Sequence, residues 1–244
     1  MTTTAQTLKG KKIILLGASS GIGLATAKKA AAEGADIVIV SGNRKRIDQA
    51  LEDLPAGSEG HAVDLSKEEK IRDFFSSAGR FDHLVYSAGE NLALLPIAQT
   101  DIRQAQTFFT IRFWGAFAAV KYAAPLINEG GSIGLTSGTA GARPGAGWSV
   151  ASAICSAMEG FVRAMAVELS PIRVNCVVPG VIMTPLWDGM GPEVRDGIFE
   201  QVGKSSLVKR VGVPEDVAEG FIYLMKQRNG TGQSLLIDGG AVLV

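Results

Sequence analysis

The chain has few residues that could build a metal site or a disulfide framework. Its 244 residues include two cysteines, Cys155 and Cys176, and two histidines, His61 and His83. Two cysteines are too few for a disulfide framework or an all-cysteine zinc site, and the histidines add no metal-ligand spacing. We therefore expect no bound metal and two reduced thiols.

The sequence also lacks a net charge and a long apolar run near its start. There are 24 basic residues (lysine and arginine together) and 24 acidic residues (aspartate and glutamate together), so the formal net charge is zero. Without a global field we expect binding to neither nucleic acid nor an anionic membrane. The run Ile13 to Leu16 is too short for a signal-peptide core or a membrane span. These features predict a soluble cytoplasmic protein whose ligand is a small molecule.

A glycine-rich loop joins a buried strand to a helix near the start of the chain. Ile13 to Leu16 are followed by Gly17-Ala18-Ser19-Ser20-Gly21-Ile22-Gly23 and then by strong helix formers. Unpaired N–H groups at a helix N-terminus attract anions, and small residues let a phosphate approach the backbone. We expect a nucleotide diphosphate at this loop. An ordinary turn between a strand and a helix is the alternative.

The predicted second strand ends in cations. Residues 35–40 are predicted to form this buried strand, and Ser41-Gly42-Asn43-Arg44-Lys45-Arg46 follows it. In proteins that bind NAD, a carboxylate near this strand end holds the ribose 2′-OH, whereas arginine accommodates the 2′-phosphate of NADP. The sequence therefore favours NADP(H) over NAD(H), with Ser41, Asn43 and Arg44 as contacts. Alternatively, these cations merely open a solvated helix.

Strands and helices continue to alternate through the rest of the chain. Further strands are predicted at 61–63, 82–86, 131–137, 172–178 and 234–240. This alternation predicts a parallel sheet with helices on both faces and ligands at the carboxyl ends of the strands. We also predict one long helix over Thr107 to Asn128, with its aromatic side chains in the core.

No linker divides the sequence. We therefore expect a single dinucleotide-binding domain spanning residues 1–244. Within it, the segment near 185–208 has the composition of an irregular insert with short helices, which suits a lid over a substrate. Trp148 and Trp187 flank the predicted pocket and are expected to shape it.

Several motifs together resemble the short-chain dehydrogenase/reductase family along nearly the whole chain. The matching segments are the glycine loop, Ser87-Ala88-Gly89, Arg173-Val174-Asn175 with Pro179-Gly180, Val213 to Ala218, and Thr231 to Gly240. The resemblance implies an α/β, Rossmann-like, doubly wound fold of about seven parallel strands with helices on both faces. It also implies assembly as a homodimer or homotetramer.

The same resemblance implies the residues that bind the cofactor. Thr184 falls where the family uses a hydroxyl on the nicotinamide carboxamide. The expected cofactor contacts are Gly17, Ser19, Ser20, Gly21, Ile22, Gly23, Ser41, Asn43, Arg44, Asp64, Leu65, Ser87, Ala88, Gly89, Pro179, Gly180, Ile182 and Thr184.

The residues that carry out the chemistry of the family are mostly replaced. The family uses an asparagine, a serine that binds the carbonyl, a tyrosine that delivers the proton and a lysine that lowers the tyrosine pKa. Ser137 matches the serine. Ala151, Cys155 and Arg112 stand where the tyrosine, lysine and asparagine are expected. Because the segment from Pro144 to Met158 contains neither tyrosine nor lysine, no shift of register restores the pair.

Other side chains could replace the missing groups. Arg112 is a permanent cation that could polarise a carbonyl or hold a carboxylate, although a structural ion pair is the alternative. Ser149 and Ser152 could orient a carbonyl or a water, but such common hydroxyls are often incidental. We interpret Cys155 as a small apolar filler. Of the three tyrosines, Tyr86 alone lies at a strand end beside the cofactor loop.

The sequence therefore predicts an atypical NADP(H)-dependent oxidoreductase that acts on a small-molecule carbonyl or alcohol. Ser137, Arg112 and Ser149 are the catalytic candidates, and the proton donor is not the usual one. Loss of general-acid help costs about 10² to 10⁴ in rate, so turnover of generic carbonyls should be slow. Two alternatives stay open: a non-redox NADP(H)-binding sensor or partner subunit, and a lyase or isomerase that reuses the pocket.

Overall fold

The strands of the computed structural model, which describes residues 7–89 and 94–244, form one parallel sheet. In chain order they are β1 (Lys12–Leu16), β2 (Asp36–Ser41), β3 (Glu59–Ala62), β4 (Phe81–Tyr86), β5 (Ile127–Thr136), β6 (Arg173–Pro179) and β7 (Ser234–Ile237). Across the sheet the order is β3-β2-β1-β4-β5-β6-β7. The direction of winding therefore reverses between β1 and β4, and ligands of such sheets bind beyond the carboxyl ends at this point.

Helices cover both faces of the sheet. The described residues contain α1 (Gly21–Ala32), α2 (Arg44–Glu52), α3 (Glu68–Ala78), α4 (Ile102–Phe109), α5 (Ala116–Ala123), α6 (Ser149–Glu168), α7 (Pro192–Ser205) and α8 (Pro214–Lys226). One core lies between the sheet and α1, α2 and α8, and a second lies between the sheet and α3, α5 and α6. The central strands are apolar on both sides because both of their faces are buried. The predicted fold class is confirmed.

The prediction of one continuous helix from Thr107 is wrong. After α4, the chain forms a π-helical turn at Thr110–Gly115 before α5 begins. At this turn the hydroxyl of Tyr86, at the end of β4, donates a hydrogen bond to the carbonyl of Ile111 (2.6 Å). This contact comes from a distant part of the chain, so helical periodicity gave no sign of it. Such turns occur often at functional sites.

The same helix also ends earlier than predicted. α5 stops at Ala123, a short 3₁₀ turn covers Ala124–Leu126, and Asn128 already belongs to β5. Pro125 lies inside the 3₁₀ turn and has no N–H to continue an α-helical ladder.

Two of the aromatic side chains predicted to be core are exposed. Trp114 is 59% exposed to solvent and Phe117 is 40% exposed. Phe113 is partly buried and makes an edge contact with Phe161 of α6, with ring centroids 5.8 Å apart. The aromatic side chains of the π-helical turn and of α5 are thus shared between the core and the outside of the subunit.

Two further elements bear on the site and on membrane binding. The segment near 185–208 is more regular than predicted, because a 3₁₀ turn at Pro185–Met190 leads into the 14-residue helix α7. Among the helices of the described residues, α6 alone is long and apolar enough to cross a membrane by length and composition. In this fold it packs on the sheet, with Met158, Phe161 and Val162 buried.

One histidine is buried in the middle of the sheet. His83 of β4 is 1% exposed, and its Nδ1 lies 2.9 Å from the hydroxyl of Ser132 on β5. Its Nε2 is buried and has no hydrogen-bond partner among the residues that the structure describes. Burial is the largest cause that lowers the pKa of His83; Asp82 opposes it, the cations Arg173 and Lys11 add to it, and together they bring the pKa to about 4.

His83 should make the protein less stable in mild acid. The unfolded chain binds a proton near the ordinary histidine pKa of 6.5, whereas the folded chain does so only near 4. Protonation of His83 therefore does not lower the free energy of unfolding above pH 6.5. The free energy of unfolding falls by about 3 kcal/mol as the pH drops from there towards 4. Urea unfolding at several pH values should show this slope in the wild type. The slope should be weaker in His83→Gln. It should be unchanged in His61→Gln, a control at a partly exposed histidine. Equal slopes in all three proteins would show that His83 is not the group responsible.

Candidate active site

An open cavity of about 490 Å³ lies beyond the carboxyl ends of β1, β4, β5 and β6. It extends from the glycine loop before α1 to the 3₁₀ turn before α7. Its lining includes most of the predicted cofactor contacts: Gly17, Ser19, Ser20, Gly21, Ile22, Gly23, Ser41, Asp64, Leu65, Ser87, Ala88, Gly89, Pro179, Gly180, Ile182 and Thr184. Segments that are far apart in sequence therefore meet around one space.

The glycine loop presents backbone N–H groups to this cavity. Leu24 N–H donates to the carbonyl of Ser20 (3.3 Å) and closes the first turn of α1. The N–H groups before Leu24 consequently have no acceptor within the helix. Ser20, the N-cap residue, makes no side-chain capping bond. An uncapped helix N-terminus with small residues around it fits a phosphate group, so the donors present here suit a dinucleotide.

The ends of β1 and β4 pack tightly beneath this loop. Gly17 has a φ of +86°, and a side chain there would overlap the backbone of Ala88. The hydroxyl of Ser87 donates weakly to the carbonyls of Leu16 and Gly17, at 3.4 Å each. Ser19 Oγ donates to Ser41 Oγ (2.9 Å), which ties the loop to the end of β2.

At the end of β2, the arginine that lines the cavity differs from the one predicted. Arg44 pairs with Asp48 one turn along α2 and donates to the carbonyl of Gly60 (2.9 Å). The hydrogen bond with Asp48 raises the pKa of Arg44. Arg46, by contrast, lines the cavity and makes no ion pair with any described residue. Asn43 is also outside the lining, because its side chain caps α2 by accepting from Arg46 N–H (3.0 Å).

Asp64 lies on the same side of the cavity, just after β3. Its Oδ1 accepts hydrogen bonds from the N–H and the hydroxyl of Ser66, at 2.9 and 2.6 Å. These bonds lower the pKa of the Asp64 carboxyl, so it is ionised at neutral pH. A fixed carboxylate oxygen here can accept a hydrogen bond from a bound nucleoside.

Ser137 lies at the other end of the cavity, just beyond β5. Its N–H donates to the carbonyl of Val177 (2.9 Å), which fixes the backbone to β6. Its hydroxyl lies 3.1 Å from the carbonyl of Cys155 and 3.3 Å from Oε1 of Glu159, both on α6. Arg112, Ala151 and Cys155 line the cavity beside it. The structure thus brings together the positions that the resemblance assigned to catalysis.

The thiol of Cys155 has the properties of a filler. Burial raises its pKa, although the charge of Arg112 and a hydrogen bond with Ser137 partly oppose this effect. Its proton therefore stays on sulfur at neutral pH, where a nucleophile would need to be ionised.

The π-helical turn sets the position of Arg112. The turn contains Ile111 and Arg112 and is tied to β4 by the Tyr86 hydroxyl. The guanidinium of Arg112 packs so closely over Gly89 that a side chain at Gly89 would overlap it. Tyr86 itself is 1% exposed, so it holds this turn and does not offer a proton to the cavity.

Sequence reasoning differs from the structure at a few positions. Ser149 is exposed at the start of α6 and is not in the cavity lining, so it is not placed for catalysis. Two residues were missed, Arg46 and Glu159. Helical spacing could have indicated Glu159, because it lies four residues after Cys155 on the same face of α6. The four-residue spacing of Arg44 and Asp48 could have indicated that Arg44 is held along α2 and that Arg46 is left for the cavity.

A parallel sheet with this strand order, a glycine loop and a serine at the opposite end of one cavity defines an oxidoreductase fold that binds a nicotinamide dinucleotide. A family model described as enoyl-(acyl carrier protein) reductase matches residues 17–242. The short-chain dehydrogenase/reductase ATR9 of Stachybotrys chlorohalonatus is 35% identical, over 97% of this chain and 99% of the relative. The chain belongs to the short-chain dehydrogenase/reductase family.

Two solved structures share the fold along almost their whole length. A small-chain dehydrogenase in complex with NADPH has a TM-score of 0.86 and 31% identity, covering 97% of this chain and 100% of the other. The MalC reductase/Diels-Alderase from Malbranchea aurantiaca has a TM-score of 0.88 and 30% identity, covering 97% and 98%. The family assignment and the enzyme class predicted from the sequence are confirmed.

Replacing Tyr86 by phenylalanine should destabilise the protein. The change removes the hydroxyl that donates to Ile111 and leaves a part-buried carbonyl without this donor. We expect the free energy of unfolding to fall by about 1–3 kcal/mol. Urea unfolding measures it, with Tyr223→Phe at an exposed tyrosine as the control. Equal stabilities of the two variants would show that the Tyr86 contact contributes nothing.

Proposed function

We propose that this protein is an NADP(H)-dependent oxidoreductase that acts on a small-molecule carbonyl or alcohol without the usual proton donor. The observation that carries the proposal is the continuous cavity between the N-terminus of α1 and Ser137. One end suits a diphosphate, and the other offers a hydroxyl and a cation to a reacting oxygen. The loops that follow β4 and β6 line the cavity between these two ends.

The preference for NADP(H) rests on the charges near β2. Arg46 can meet a 2′-phosphate, and residues 41–46, at the end of β2 and just after it, contain no carboxylate to hold a 2′-OH. The glycine loop and Asp64 would hold the rest of the nucleotide, and Thr184 would meet the nicotinamide carboxamide. The bound cofactor would supply or accept the hydride.

The protein's own side chains would then prepare the substrate oxygen. Ser137 donates a hydrogen bond to it, and the cation of Arg112 stabilises the negative charge that develops on it. The lining of the cavity contains neither tyrosine nor lysine among the described residues. Position and electrostatics therefore carry more of the catalysis than in a family member with a dedicated acid.

The walls of the cavity favour a substrate with a substantial apolar part. Trp148, Ile154 and Met158 line it, as does Trp187, which belongs to the 3₁₀ turn Pro185–Met190. The indole N–H of Trp187 donates to the carbonyl of Ile182 (2.9 Å), which fixes this ring in place. We propose that the segment 185–208 acts as a lid over the bound substrate.

A second function of the pocket can be tested alongside the first. MalC, a relative by structure, is named a reductase/Diels-Alderase. In this chain a cation lies among apolar and aromatic walls where the usual acid is missing. That combination also suits a reaction in which a bound substrate rearranges without hydride transfer, as in a lyase, isomerase or cyclase. Turnover that does not depend on added NADPH would support it, whereas a non-redox sensor would show neither kind of turnover.

Assembly and location are part of the same proposal. We propose a cytoplasmic homodimer or homotetramer. Exposed apolar side chains on α5 and α6 and on the turn before α5, among them Trp114, Phe117 and Val167, support contact between subunits.

The cofactor assignment predicts a specific effect of Arg46. In Arg46→Ala the affinity for NADPH should fall about 10- to 100-fold, because a charged contact with the 2′-phosphate is lost. The affinity for NADH should change little. Arg44→Ala should weaken NADPH binding less than about threefold, since Arg44 is held by Asp48 and Gly60. Calorimetric titration measures all of these affinities. A larger loss of NADPH affinity in Arg44→Ala than in Arg46→Ala would assign the 2′-phosphate contact to Arg44 instead. If the wild type bound neither nucleotide, the proposed function would be refuted.

The oxidoreductase assignment predicts slow NADPH-dependent turnover of carbonyls. Ser137→Ala should reduce the rate about 100-fold, because the hydrogen bond to the developing oxyanion is lost. Ser156→Ala, at an exposed position next to Cys155 on α6, should not. The assay follows NADPH absorbance over a panel of ketones, aldehydes and imines. Fast turnover of simple ketones that vanished in Ser137→Ala would support the reaction type but contradict the predicted slow rate.

A further inference from the structure

Helix α6 carries a carboxylate on the face that borders the cavity. Ala151, Cys155 and Glu159 follow one another at intervals of four residues, so their side chains share one face of the helix. Ala151 and Cys155 line the cavity, and Glu159 lies one turn deeper, half-buried.

The carboxylate of Glu159 connects Ser137 to the outside of the subunit. Its Oε1 is 3.3 Å from the hydroxyl of Ser137. Its Oε2 accepts a hydrogen bond from the hydroxyl of Ser234 (3.1 Å), the exposed first residue of β7. A chain of oxygen atoms thus runs from the cavity to the surface through one group that can hold a proton.

We propose that Glu159 exchanges a proton with Ser137 and so replaces the missing proton donor of this site. During reduction, the hydride adds to the carbonyl carbon while Ser137 gives its proton to the carbonyl oxygen. In the same step Glu159, which takes up a proton from solvent through Ser234, gives that proton to Ser137 and becomes a carboxylate. During oxidation the same protons move in the opposite direction. This inference rests on the proposed oxidoreductase function.

The other polar groups around the cavity are less suited to this task. The guanidinium of Arg112 keeps its proton at all physiological pH values. The Cys155 thiol touches Ser137, but burial raises its pKa, and the carboxyl of Asp64 is ionised and bound by Ser66. Asp188 lies on the 3₁₀ turn and pairs with Arg195 (3.5 Å).

Ser137 has a choice of acceptors that suits a relay. A serine hydroxyl has one proton, and here it can point to the Cys155 carbonyl, to Glu159 or to a substrate oxygen. When it donates to a substrate, its lone pairs face the protonated carboxyl. Only rotation of the hydroxyl hydrogen is required, and no heavy atom must move.

The test compares Glu159→Gln with wild type in single-turnover oxidation of NADPH by a carbonyl that the wild type reduces. Glutamine still accepts a hydrogen bond from Ser137 but holds no exchangeable acid proton. We expect the hydride-transfer rate to fall about 100-fold or more, with NADPH affinity unchanged within about twofold. Glu159→Asp should recover part of the rate. Glu168→Gln, the same change at an exposed position of α6, should leave the rate unchanged.

A second measurement does not depend on activity. The charge of Glu159 raises the pKa of the Cys155 thiol. In Glu159→Gln, alkylation of Cys155 by iodoacetamide, followed by mass spectrometry, should therefore begin at lower pH than in wild type. An unchanged alkylation profile would show that the carboxylate does not reach the cavity floor, and would overturn the proposal.

The outcomes separate this inference from the proposed function. If the wild type transfers hydride and Glu159→Gln does so at the same rate, the carboxylate only orients Ser137 and the relay is refuted while the function stands. If the wild type transfers no hydride to any carbonyl of the panel, the function fails and the relay fails with it. A rate loss in Glu159→Gln with an altered alkylation profile supports both.

Discussion

The close packing of Gly17 against Ala88 is the constraint on which the site depends. It brings the ends of β1 and β4 together at the point where the winding of the sheet reverses. Gly23 has a related role, since a side chain there would lie 2.5 Å from Ser87 Oγ. These two glycines are therefore needed for contact between loops as much as for access of a ligand to the backbone. The phosphate subsite exists because the two loops can approach so closely.

The sequence predicted the sheet well for a physical reason. Strands such as β1 and β6 are buried on both faces, so they appear as short apolar runs that end at glycine or proline. It failed at the helix from Thr107 for two reasons. The π-helical turn is bound to the hydroxyl of Tyr86, which is a tertiary contact. The end of α5 at Ala123 is a local effect of Pro125, which the prediction overlooked. Periodicity records which face of an element is apolar and carries no information on such a contact.

In the candidate site, too, some positions follow from the local sequence and others depend on contacts in the folded protein. Residues in the glycine loop have roles set by the local backbone, and their positions followed from the sequence. The choice between Arg44 and Arg46 depends on where α2 begins and on Asp48, which takes the first of them. A difference of two residues rotates a side chain by about 200° around a helix, so a small change in the start of the helix decides which cation faces the cofactor.

The catalytic end shows how this fold could keep its cofactor site and change its chemistry. Replacing a lysine by Cys155 removes a cation, and replacing an asparagine by Arg112 adds one elsewhere in the lining. Under the proposed function, the cation of Arg112 would lie near the substrate oxygen. That position favours stabilisation of an anionic transition state over activation of a tyrosine acid. Arg112 and Glu159 act on the Cys155 thiol with opposite sign, because the cation lowers its pKa and the carboxylate raises it. The two charges act on the same part of the cavity, one suited to hold an oxyanion and the other to exchange its proton.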